Sequence, residues 1–141
     1  VDVQFYAKSA DIKNSFKHKD RLPYFQLTPV RKPTLETKIK QLMDAGVVLM
    51  IGTDSGIPMK FHSQSTWNEL DVWVNEFGID PMYAIRAATY WPSLWMGVAD
   101  EVGSVTEGKY ADIIAVKGDV LRHISLLQDV DIVIKHGKKY K

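Results

Sequence analysis

Asp54 is the residue best placed in this chain to do chemistry. It sits in the loop Gly52-Thr53-Asp54-Ser55-Gly56-Ile57-Pro58, three residues past the apolar run Val47-Val48-Leu49-Met50-Ile51. Five consecutive apolar residues bounded by glycines predict a strand buried on both faces, as in a parallel sheet covered by helices. Ligands gather at the carboxyl ends of such strands. An ionised carboxylate there can bind a divalent metal or take a proton from a metal-bound water. The flanking glycines let the backbone turn tightly around it. Aspartates in such loops also make Asx turns and cap helices, so spacing alone leaves these roles open.

Other side chains offer weaker chemistry. His62 follows Asp54 by eight residues and could line a substrate pocket or bind a metal. A lone loop histidine often does neither. Glu69 could be an active-site acid, but Thr66-Trp67-Asn68-Glu69 also reads as a capping box that opens a helix. Arg86 could pair with a substrate carboxylate or form a surface ion pair. His18, His123 and His136 are scattered, with no H-x-H or H-E-x-x-H spacing. Trp67, Trp73, Trp91 and Trp95 could make an aromatic binding surface or simply pack. No P-loop, dinucleotide fingerprint or G-x-S-x-G elbow occurs. The absence of cysteine excludes disulfides, thiolate catalysis and a cysteine-built zinc site.

The elements that must position these residues follow from periodicity. Val1, Val3 and Phe5 alternate with polar residues and suggest a short strand. Lys8 to Arg21 interleaves both charge signs, which reads as a solvated stretch rather than a phosphate site. Past Pro33, Thr34 is set to cap a helix carrying Leu35, Ile39, Leu42 and Met43 on one face, with Gly46 at its end. The capping box predicts a second helix with Trp67, Leu70, Val74 and Phe77 on its core stripe, closed by Gly78. Asp80-Pro81 starts a third, with Met82, Ile85, Ala88 and Thr89 at helical spacing, and Pro92 to Met96 a short fourth turn ending at Gly97. Beyond Gly97 the texture is β. Ala111–Val116 and Val130–Ile134 are β-branched runs, Leu121–Leu127 is a short amphipathic turn, and His136-Gly137 can make a tight turn. A boundary near Gly97–Gly103 separates the two blocks.

The chain has 141 residues, 45% hydrophobic and 25% charged, which gives a prior of one globular domain with a real core. Eighteen Lys plus Arg against seventeen Asp plus Glu leave a net charge of +1, which argues against a dedicated nucleic-acid or membrane-surface partner. No apolar run approaches the roughly 18 residues of a membrane span. Val1-Asp2-Val3-Gln4 shows neither an initiator Met nor a leader pattern, so a processed or shortened N-terminus and a cytoplasmic location are the expectations.

In order along the chain, Gly52-Thr53-Asp54-Ser55-Gly56, His62, Glu69-Leu70, Gly78 and Ala84-Ile85-Arg86-Ala87-Ala88-Thr89 resemble the last strand and helices of the amidohydrolase superfamily barrel. Leu94 to Gly97 and Gly103-Ser104-Val105-Thr106-Glu107-Gly108-Lys109-Tyr110-Ala111-Asp112 are similar to that family's "G-x-I-x-x-G-K-x-A-D" segment, and Val133 to Lys138 to its tail. The resemblance spans residues 33–141 and is nearest to the imidazolonepropionase and prolidase-like branch, whose members hydrolyse cyclic amides or dipeptides.

The resemblance implies an α/β fold: the C-terminal part of a (β/α)8 barrel over residues 1–97, then the C-terminal strands of a small composite β-sandwich over 98–141. It implies one or two divalent metals, usually zinc, with Asp54 as metal ligand and catalytic base. His62 matches a substrate-contacting loop histidine, although Ser63 replaces the glycine that usually follows. Gly108, Lys109 and Asp112 match structural positions. The family's H-x-H and its other histidine ligands have no counterparts here, and a complete barrel needs about 200 residues or more. The first expectation is therefore a metal-dependent hydrolase of small-molecule amides, represented by an incomplete C-terminal part that is inactive in isolation. It needs the missing N-terminal barrel segment, or self-associates through unpaired strand edges. The alternatives are a non-catalytic α/β module for assembly or binding, and one half of a split enzyme.

Overall fold

The computed structural model describes residues 23–56 and 62–141, with residues 23–29 described by backbone alone. The strand expected at Val1–Phe5 and the mixed-charge stretch at 8–21 lie outside the described residues. The fold is mixed α/β: helices first, a small antiparallel sheet last.

Helix α1 spans Pro23–Asp44. The expected start at Thr34 is corrected, since Thr34 lies inside the helix and Pro29 and Pro33 precede it there. Proline forfeits one helical hydrogen bond but its φ is already helical, so it weakens a helix without having to end it. Leu35, Ile39 and Met43 pack against the core, while Leu42 stays exposed. The helix ends as a Schellman motif: Val47 N donates to Leu42 O (3.0 Å), Gly46 N donates to Met43 O (2.9 Å), and Gly46 takes φ +75°.

The run Val47–Ile51 forms no regular element and joins no strand ladder among the described residues. Among the described residues one set of its side chains meets the core. Leu49 and Ile51 turn to the core, whereas Val48 is 54% exposed and Val47 and Met50 are exposed with it. Leu49 N donates to Tyr83 Oη and Ile51 N to Ala87 O, both at 3.0 Å.

Helix α2, His62–Asp71, runs into a π-helical turn at Val72–Glu76, where Phe77 N donates to Val72 O at 3.1 Å. Lys32 of α1 pairs with Glu76. Helix α3, Pro81–Ala88, begins as expected: Asp80 is the N-cap, and its Oδ2 accepts from Tyr83 N at 2.8 Å. Its buried residues are Ala84 and Ala87; of the expected Met82, Ile85, Ala88 and Thr89, Ile85 and Ala88 pack against the core while Met82 and Thr89 are exposed. Small residues let α3 approach its neighbours closely. Helix α4, Tyr90–Trp95, follows, with Trp91 edge-on to Tyr83 at 4.4 Å between ring centroids.

Strands β1 (Ile113–Ala115), β2 (Ile132–Lys135) and β3 (Lys138–Lys139) form an antiparallel meander with Ile113 opposite Ile134 and Ile134 opposite Lys139. His136 and Gly137 both take positive φ (48° and 73°), which fits a two-residue hairpin turn matched to strand twist. A 3-10 turn at Ile124–Gln128 links β1 to β2. Its Ile124 joins Leu70, Val72, Trp73, Phe77, Ile79, Ala84 and Ala87 in one hydrophobic cluster.

Candidate functional site

Asp54 lies three residues past the apolar run Val47–Ile51 and takes φ +50°. A non-glycine residue in the left-handed region costs on the order of 1 kcal/mol, and aspartate tolerates it better than most. Its surroundings hold it there. Ile51 N is bound by Ala87 O of α3 (3.0 Å) and Gly52 N by Glu69 Oε1 of α2 (3.5 Å). Thr53 Oγ1 and Ser55 Oγ lie 2.7 Å apart, a hydroxyl contact spanning the aspartate. The Asp54 residue itself is exposed, so its carboxylate is available to solvent and ligand.

His62 opens α2 and is exposed. Its imidazole lies against Gly56, which takes φ +103°; a Cβ there would sit 3.3 Å from His62 Cε1. The structure therefore brings His62 to the Asp54 loop. Glu69 lies elsewhere in α2 than the capping-box expectation puts it. The helix starts at His62, so Thr66 and Glu69 are interior positions, and Glu69 is 2% exposed. Its burial has a sequence trace only in hindsight: Ser65, Glu69 and Val72 share one face at spacings of four and three, and all are buried.

The remaining candidates disperse. Arg86 is exposed on α3. His136 lies in the β2–β3 turn, edge-on to Tyr110 at 4.9 Å. The tryptophans form no common surface: Trp73 is buried, Trp91 packs on Tyr83, and Trp95 is 79% exposed. Trp67 lines a cavity of about 520 Å³ with Leu70, Ile85, Ile114, Val116 and Leu127. Among the described residues that cavity's lining holds no ionisable side chain.

Among the described residues no group of three or more His, Asp or Glu side chains could hold a metal ion. Asp54 offers one ligand, and one carboxylate does not fit a metal centre by itself. Among the described residues no helix is long and apolar enough to cross a membrane.

Known proteins resemble the chain along nearly all of its length. A Xaa-Pro dipeptidase, solved with methionine bound in its active site, is 32% identical over 99% of this chain, with a TM-score of 0.77. A prolidase-like protein from Bifidobacterium longum superposes with a TM-score of 0.78 over 99% of the chain at 23% identity, which speaks to fold alone. An adenine deaminase from Rubrobacter xylanophilus is 38% identical over 61 residues, 43% of this chain and 10% of the deaminase. The chain spans 32% and 33% of the lengths of the two solved structures. The sequence profile described as "Amidohydrolase family" matches residues 9–139, and the chain belongs to that family.

Proposed function

We propose that this chain is the C-terminal part of a metal-dependent hydrolase of amide bonds in small molecules, cyclic or dipeptide-like. Residues 1–97 would close a (β/α)8 barrel and residues 98–141 would complete a small β-sandwich. The observation that carries the reading is the placement of Asp54: an exposed carboxylate just past an apolar segment, on a loop tied to two helices. The 32% identity to a Xaa-Pro dipeptidase supports dipeptides as the first substrate class to try.

The chemistry assigned to Asp54 is general-base catalysis. As a water oxygen bonds to the amide carbonyl carbon, the carboxylate takes the water proton. It then returns a proton to the leaving nitrogen as the C–N bond breaks. His62, beside the same loop, is the candidate substrate contact. Enzymes of this family generally use divalent metals. Zinc with Asp54 as one ligand is our expectation, and its other ligands would come from outside the described residues.

A second reading is a non-catalytic α/β assembly module, or half of a split enzyme. Exposure of the apolar Val48 and Met50 favours it, because an exposed apolar surface is suited to cover by further chain.

The deciding experiment uses the complete polypeptide carrying these residues, assayed with divalent metal on Met-Pro and on cyclic amides. Asp54→Asn should lower turnover by roughly 10²–10⁴-fold. The far-UV spectrum and unfolding midpoint should stay close to wild type. Near-normal turnover in Asp54→Asn would remove Asp54 from the mechanism. No hydrolysis by the wild type would leave the assembly reading.

A further inference from the structure

We infer that Glu69 is a positioning residue for Asp54, holding the catalytic loop by a side-chain bond to its backbone. The inference rests on the role proposed for Asp54. Glu69 sits at an interior position of α2 and is 2% exposed. Its Oε1 accepts the N–H of Gly52, two residues before Asp54, at 3.5 Å. The preceding N–H, of Ile51, is held by Ala87 O of α3 at 3.0 Å. Two consecutive amides at the entry to the loop are thus tied to two different helices. One residue further on, past Thr53, the chain enters the left-handed conformation of Asp54 at φ +50°.

Other roles fit poorly. The capping role fails because the helix begins seven residues earlier, at His62. A role in contact with bulk water fits poorly, because the residue is only 2% exposed. Burying an ionisable group also costs stability relative to an apolar side chain of similar size. The contact to Gly52 gives this buried glutamate one use, alongside its other contacts. The use is geometric. A base displaced by about 1 Å can lose on the order of 10² in rate, so a tether at the loop's entry acts on turnover.

The test separates position from charge with two mild substitutions. Glu69→Gln keeps the length and an acceptor oxygen but loses the charge. Glu69→Asp keeps the charge but is one methylene too short. A tether predicts that Gln retains kcat within about threefold. It predicts that Asp loses about 10–100-fold in kcat with KM nearly unchanged. A charge role predicts the opposite order and would overturn the inference, as would full kcat in both variants.

Amide exchange of Gly52 by NMR gives a readout that needs no substrate. Protection should be present in wild type and Glu69→Gln and fall at least tenfold in Glu69→Asp. An unprotected Gly52 amide in the wild type overturns the tether even if Glu69→Asp does not fold. Asp54→Asn is the control. If that variant keeps its turnover, the reading of Asp54 fails while the exchange result still decides the tether.

Discussion

The carboxylate of Asp112 closes the turn at His136. Its Oδ1 accepts the backbone N–H of His136 at 2.8 Å, and its Oδ2 accepts from Lys135 Nζ. Asp112 immediately precedes β1, and Gly137 N donates back to Ala111 O at 3.1 Å, so the start of one strand is fastened to the turn between the other two. The family-like pattern around Asp112 thus has a structural meaning: it staples a sheet of very short strands.

This staple predicts a pH dependence. The Lys135 hydrogen bond foremost, then the His136 N–H, hold the Asp112 carboxyl below the usual carboxylate range. The Lys117 N–H, at 2.7 Å, does the same for Asp131. A carboxylate with a lowered folded-state pKa stabilises fully above its unfolded value, and that stability disappears as pH falls through the lowered one. The urea midpoint should therefore hold steady from pH 7 to 5 and fall below about pH 4. In Asp112→Asn/Asp131→Asn the fall should be smaller. An equally steep fall in that double variant would assign the acid sensitivity to other carboxylates.

Gly103 predicts a steric effect. It takes φ +90°, and a Cβ there would lie 2.2 Å from Ser93 Oγ and 3.1 Å from Thr89 O. Ser93 is buried and donates to Tyr90 O at 2.7 Å, so it cannot swing away freely. Gly103→Ala combines a backbone penalty with overpacking, and should cost about 2–4 kcal/mol. Gly46→Ala is the comparison. It has φ +75° but open space around it, so only the backbone penalty of about 1 kcal/mol applies. Equal losses in the two variants by chemical denaturation would mean that the Ser93 contact does not matter.

These residues also show where sequence reading succeeds and where it stops. Punctuation is local and was legible. Asp80-Pro81 caps α3, the glycines at 46, 78 and 97 take positive φ, and His136-Gly137 turns the hairpin. The capping box at Thr66–Glu69 misleads because a Thr-x-x-Glu spacing is also one face of a helix interior. Only the start of α2 at His62, four residues earlier than Thr66, distinguishes the two. Burial of Ser65 and Glu69 depends on how α2 lies against the loop at Gly52, which no local pattern encodes. The same holds for Val47–Ile51: five apolar residues state that burial is available, while the neighbours decide how many faces receive it. Asp54 could be singled out because its candidacy is local, a carboxylate between glycines after an apolar run. Its tether to Glu69 could not.

Ile124 carries the last prediction, about how the helical and β blocks depend on each other. It lies in the 3-10 turn between β1 and β2, is 1% exposed, and belongs to the same cluster as Leu70 and Trp73 of the helical block. A side chain buried this fully contributes about 1.5–3 kcal/mol by removal from water alone. Ile124→Ala should cost about 2–5 kcal/mol and Ile124→Val about 0.5–1.5 kcal/mol, because a cavity remains where the surroundings cannot collapse. If residues 1–97 and 98–141 share this core energetically, both variants keep a single unfolding transition, shifted to lower denaturant. Amide protection in β1 and β2 then falls together with that of α2. If instead Ile124→Ala splits the transition, with the strands losing protection while α2 keeps it, the sheet folds as a unit of its own. The Gly97–Gly103 boundary would then be an energetic boundary as well as a change in texture.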